Sequence, residues 1–276
     1  AVTLLWLTDP WDLAAATGHI QRSLTFALKA KDERAMAMVR SATAQVHQDR
    51  GDLQAALDEL LAARGIYEKL GDASRYASVC NLLGSVLAEM RRPADAVARY
   101  QEALRINEAQ GSTTQAAGVL NNLATSHIAT GELDEAERSL ERCLRIHERV
   151  GYMEGACIAR VNLASIAAQR LQNHEAVARA TEASEQAERL GHVMALMSSL
   201  TTRFTSELAL GRLGDAFQTL DRLAKVAKRS DHIVGQVWHA TSEARGLLRL
   251  GDTERAEQIE TASAEDKGGY AKAQDE

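Results

Sequence analysis

Proline is nearly absent from this chain, Pro10 and Pro93 being the only two in 276 residues. Ring sterics therefore interrupt helix formation almost nowhere. Aromatic residues are equally scarce, at 4% against 45% hydrophobic content overall, so any core is built from aliphatic side chains and closely packed alanine. No apolar run reaches the roughly 18 residues of a membrane-spanning helix. The opening Ala1-Val2-Thr3-Leu4-Leu5-Trp6-Leu7 is too short for one and lacks the basic leader of a signal peptide. A cytoplasmic location with no membrane partner is expected. Cys80, Cys143 and Cys157 are an odd, scattered set without metal-ligand spacing, and they read as free structural thiols.

Charge of one sign is also missing. A net charge of −6 gives no basic stripe with which to displace phosphate counterions, so no nucleic-acid partner is expected. The compact basic clusters, Arg91 with Arg92 and Lys225, Lys228 and Arg229, read as solvated helix ends. The dominance of arginine over lysine, with abundant alanine, suggests a GC-rich bacterial genome. Catalytic signatures are lacking too. The eight histidines include no zinc-chelating pair, no Gly-rich phosphate loop follows a strand, and Ser, Cys and His form no nucleophile motif. No enzymatic activity, cofactor or metal is expected.

Alanine, by contrast, recurs every 40 residues at Ala16, Ala56, Ala96, Ala136, Ala176, Ala216 and Ala256. Alanine is roughly a fifth of the chain, so such a ladder would arise by chance with a probability on the order of 10⁻⁵, and it marks internal repeats. Glycines repeat around it, five positions earlier at Gly51, Gly131, Gly211 and Gly251, and fifteen later at Gly71, Gly111, Gly151 and Gly191. Two glycines per period suit two helices, each closed by a left-handed residue. Asp52, Glu132 and Asp252 follow the first glycine, where they are expected to cap or face the next helix, and Pro93 suits a first helical turn.

Laid out by period, residues 1–32 form a partial repeat with a second helix at about 12–30. Hairpins follow at 33–72, 73–112, 113–152, 153–192 and 193–232, then a last hairpin at 233–263 with a short second helix. Residues 264–276 lose apolar periodicity and read as a flexible tail or linker. With no initiator methionine and a start in mid-repeat, the chain reads as a piece of something longer.

A small residue stands twelve positions before the ladder at Ala44, Gly84, Ala124, Ala164 and Ala244, preceded by leucine in Leu83-Gly84, Leu123-Ala124 and Leu163-Ala164. A large residue lies four positions after it at Leu60, Tyr100, Leu140 and Leu220. This pattern resembles the tetratricopeptide repeat. The 40-residue period is similar to the long variant found in LGN, kinesin light chains and bacterial regulators such as the maltose activator. Arg203 and Phe204 depart from the pattern, and Leu171 and Asp231 replace turn glycines. Loose packing is expected over 193–232, with Gly211 and Gly214 as a hinge.

The resemblance implies an all-α fold, a right-handed α-solenoid or superhelix whose first helices line a concave groove. Helical spacing then places Ser78, Asn81 and Ser85 in that groove, followed by Asn121, Asn122 and Thr125. Asn162, Ser165 and Gln169 continue the stripe, then Ser198, Thr201, Thr202 and Thr205, and finally Trp238, Thr241 and Ser242. An asparagine amide offers a donor and an acceptor together, matching an extended peptide backbone. Peptide-binding members of the family use an asparagine just before the leucine, a place held here by Asn122 and Asn162 and lost at Leu82.

The expected function is a non-enzymatic scaffold that binds a protein or peptide ligand in the groove. One alternative is a sensory or autoregulatory domain of a bacterial signalling or transcription-regulatory protein. Another is a scaffold that self-assembles through exposed repeat ends. Trp6 and Trp11, beside the incomplete first unit, either cap the array or form a homodimer contact. His47 and His127 share one repeat position and are read as packed core histidines.

Overall fold

The computed structural model describes residues 13–229, and every element in it is α-helical. The helices are α1 (Leu13–Ala30), α2 (Glu33–Asp49), α3 (Leu53–Lys69), α4 (Ala73–Glu89), α5 (Pro93–Ala109), α6 (Thr113–Thr130), α7 (Leu133–Val150), α8 (Met153–Gln169), α9 (Asn173–Leu190), α10 (Val193–Ala209) and α11 (Leu213–Arg229). Pro93 opens α5, where its missing amide hydrogen has no intrahelical partner to lose. No described helix is long and apolar enough to cross a membrane.

One turn closes the helices throughout. The amide of Asp52 bonds the carbonyl of His47 at 2.8 Å, and the same bond recurs from Arg92 to Leu87, Glu132 to His127, Gln172 to Ala167 and Arg212 to Glu207. This six-residue closure requires a left-handed residue one place earlier. Glycine supplies it at Gly51, Gly131 and Gly211, whereas Arg91 (φ 59°) and Leu171 (φ 61°) adopt it against the steric preference of a side chain. The backbone thus keeps the turn where the sequence has lost its glycine.

The acidic residues after these turns differ from expectation. The Asp52 carboxylate makes no cap bond and lies 3.6 Å from His47 Nδ1, and Glu132 Oε2 lies 2.5 Å from Nδ1 of the buried His127. Both acids turn back to the histidine of the preceding helix. True side-chain caps come from Asp32 and Asp72, which accept from the amides of Ala35 and Arg75 at 3.0 and 3.2 Å, and from His192, whose Nδ1 accepts from the Ala195 amide at 3.3 Å.

The contacts divide the chain into two units, Ala1–Ile146 and His147–Glu276. In the first, α2 packs on α3, α4 on α5 and consecutive hairpins on one another. Its core joins Ala56, Leu60, Ala63, Tyr67, Leu83, Val86, Ala96, Tyr100 and Leu123. In the second, α8 packs on α9 and α10 on α11, around Cys157, Leu200, Phe204, Ala216 and Leu223. Ala56, Ala96, Ala136, Ala176 and Ala216 are all 0% exposed, because each sits where the paired helices approach most closely. The fold is an all-α solenoid of helix-turn-helix repeats.

The hairpin of α10 and α11, where looser packing is expected, still buries the residue that departs from the pattern. Phe204 is fully buried together with Met197 and Leu200, and Gly214 lies inside α11 rather than in a hinge. Arg203 is accommodated by Glu207 one turn on, with Nε to Oε1 at 2.7 Å, and Thr219 Oγ1 donates to the other carboxylate oxygen at 2.7 Å. Two charged substitutions at usually apolar places therefore satisfy each other. Cys80, Cys143 and Cys157 are buried and unpaired, and burial pushes the first two thiols up to about 12 and about 11. Trp6, Trp11, Trp238 and residues 233–276 lie outside the described residues.

Candidate functional site

Charge is distributed unevenly between the two helices of each hairpin. Helix α6 carries no Asp, Glu, Lys or Arg anywhere, and none occurs over residues 41–48 of α2, 76–88 of α4, 161–169 of α8 or 193–202 of α10. The second helices hold the charges, α7 alone contributing Asp134, Glu135, Glu137, Arg138, Glu141, Arg142 and Arg145 among others. Two of the cations on first helices reach the hairpin partner, Arg40 to Glu59 of α3 at 2.7 Å and Arg160 to Gln186 of α9 at 2.7 Å. A neutral polar surface is left on the first helices.

In the first unit the residues expected in the groove lie together. Helices α4 and α6 touch, and Asn122 Nδ2 donates to Asn81 Oδ1 at 3.1 Å across that contact. Gln48 of α2 donates through Nε2 to Ser85 Oγ at 3.1 Å and also bonds Glu89. Asn81, Ser85, Asn121 and Asn122 are half-buried, and Thr125 is exposed. The Asn122 bond uses one of its two amide hydrogens. Thr125 Oγ1 is committed as a donor to the Asn121 carbonyl of its own helix.

In the second unit α8 and α10 adjoin, carrying half-buried Asn162 and Ser165 on one and Thr202 and Thr205 on the other. The Thr205 hydroxyl donates to the Thr201 and Thr202 carbonyls and Thr201 donates to Met197. Those hydroxyls have their protons engaged, so each offers a partner only its lone pairs. Among the described residues no group of three or more His, Cys, Asp or Glu is placed to hold a metal ion.

Sequence reasoning overlooked Gln48 and an apolar cavity. Its volume is about 700 Å³, and its walls include Phe26 of α1, Met38 and Val39 of α2, and Ser78, Val79 and Leu82 of α4. Phe26 is 70% exposed and Met38 45%. The signal was present in the repeat itself. Phe26 stands 40 residues before Ile66 and 80 before Ile106, so the period alone marks it as a large apolar side chain at a packing position; the isoleucines are half-buried, whereas Phe26 is exposed.

Compared with known proteins, the sequence matches the Tetratricopeptide repeat family over residues 33–109 and again over 116–150. It is 31% identical over 123 residues to Protein KINESIN LIGHT CHAIN-RELATED 1 of Arabidopsis thaliana, a match covering 44% of this chain and 19% of that protein. The chain thus spans about a fifth of that relative's length. The fold is similar to the apo form of RapI, with a TM-score of 0.77 at 13% identity, covering 98% of this chain and 96% of that one. It is also similar to the Rap conjugation gene regulator of plasmid pLS20 in complex with the Phr* peptide, with a TM-score of 0.61 at 17% identity, covering 86% and 64%. At such identities the likeness concerns the fold alone.

Proposed function

This chain is a tetratricopeptide-repeat protein, and from that premise we propose that it is a non-enzymatic binding module holding an extended protein or peptide segment against its first helices. The observation that carries this reading is the Asn81–Asn122 amide pair, set on first helices that carry no Asp, Glu, Lys or Arg over residues 41–48, 76–88 and 113–130. Amides and hydroxyls suit the alternating carbonyl and amide groups of a peptide backbone, and they leave its side chains free of electrostatic demands. Asn162, 40 residues beyond Asn122, gives the second unit a matching amide. A display library of extended peptides tests the reading. Selected binders of the first unit lose about tenfold in affinity against Asn81→Ala with Asn122→Ala, the scale of two lost hydrogen bonds. Unchanged affinity in the double variant contradicts it.

A regulatory use of the same surface is favoured by the likeness to RapI over nearly the whole chain and to a gene regulator bound to the Phr* peptide. In this reading the bound segment alters the stacking of hairpins and so signals to an attached effector. Solution scattering profiles with and without a selected peptide then differ. Identical profiles at saturation count against regulation while leaving binding intact.

A further inference from the structure

The apolar cavity and the amide pair share helix α4. Ser78 and Leu82 of α4 form part of the cavity wall, and Asn81 lies between them in sequence with Asn122 bonded to it from α6. The rise along a helix is about 1.5 Å per residue and neighbouring helices lie about 8–10 Å apart. An extended segment advancing about 3.3 Å per residue therefore covers the distance from cavity to Asn122 in roughly three to five residues.

We propose that the first unit selects an uncharged, extended peptide segment carrying a bulky apolar residue, the apolar side chain filling the α1–α2–α4 cavity while the main chain crosses Asn81 and Asn122. This rests on the reading of the first-helix face as a peptide-binding surface and adds the chemistry of its ligand.

Two observations favour this occupant. The cavity has the volume of a site for side chains or a small ligand, and its walls are chiefly alanine, methionine, valine and leucine. Asp32 and Arg75 stand on its lining, one of each sign, so neither an acidic nor a basic ligand is favoured. Beyond it, residues 76–88 and all of α6 offer no cation to hold a terminal carboxylate or an acidic tail. The exposed Phe26 and Met38 supply the apolar contact that such a segment needs for affinity.

The test uses the whole chain and a random library of peptides, each acetylated and amidated at its ends. Enriched sequences are expected to carry a large apolar residue and near-zero net charge. The dissociation constant of the strongest binder changes by less than about twofold between roughly 50 mM and 500 mM sodium chloride, because no ion pair is there to be screened. Met38→Ser and Phe26→Ser each weaken it by about fivefold or more. Neither side chain belongs to the buried core, so these variants are expected to fold, and thermal melting checks that they do. Enrichment of strongly charged peptides, a tenfold salt effect, or indifference to both substitutions overturns this proposal while leaving peptide binding in place. A library from which nothing is enriched overturns both.

Discussion

The Tyr100 ring lies directly over Gly84. A β-carbon on Gly84 would stand 2.5 Å from Tyr100 Cε1 and 2.7 Å from Cζ, well inside contact distance. In the neighbouring repeats the same pair of positions is Ala44 with Leu60 and Ala124 with Leu140. Glycine and tyrosine together, or alanine and leucine together, fill the gap between paired helices.

Gly84→Ala is therefore expected to destabilise the protein by about 1–3 kcal/mol, since the buried Tyr100 ring must shift to admit the added methyl. Adding Tyr100→Leu restores the combination of the flanking repeats and recovers most of that loss. A double-mutant cycle by chemical denaturation reads the coupling directly. Independent, additive effects contradict this packing account.

Arg91 and Leu171, like Lys31, hold left-handed turns that glycine holds at the other described junctions. Leu171 is 79% exposed, so replacing it removes little packing. Leu171→Gly and Arg91→Gly each raise stability by about 0.5–1 kcal/mol, relief of side-chain strain outweighing the greater freedom of glycine in the unfolded chain. Thermal melts of the single and double variants show two additive increments. Gly131→Ala, imposed at φ 83°, moves the melting temperature the other way.

His147 is buried beside Tyr152, with ring centroids 5.1 Å apart in an edge-on contact, and its Nδ1 has no hydrogen-bond partner. Burial lowers its pKa below the ordinary 6.5. The neutral ring is thus preferred in the folded protein, while the unfolded chain takes up the proton more readily. Its contribution to stability is complete above pH 6.5 and is lost as pH falls below that value toward the folded pKa. Denaturation at a series of pH values from about 7 to about 5 shows a decline that is shallower in His147→Gln. Parallel declines contradict this role for His147.

The repeat and its helical hairpins were legible because alanine and glycine report the two most restrictive places, the closest helix approach and the left-handed turn. Arg91 and Leu171 show why the turn survives without its signature, since the bond that closes it belongs to the backbone. Glu207 shows the limit of reading positions singly. Alone it is a charge at a buried place, and only the fold brings Arg203 and Thr219 to its two oxygens. The amide stripe followed from helical spacing, but the bond between Asn81 and Asn122 depends on how adjacent first helices meet. Asp52 and Glu132 illustrate the same dependence, because a nearby histidine competes with the helix end for each carboxylate.

Binding through the first helices requires that their surface, and not that of the second helices, meets the partner. A library-selected peptide bearing a photoreactive phenylalanine analogue, irradiated on the intact protein and mapped by mass spectrometry, reads that surface directly. Cross-links are expected on α2, α4 and α6 around Met38, Ser78 and Asn122. Cross-links concentrated on the charged helices α5 and α7 contradict it.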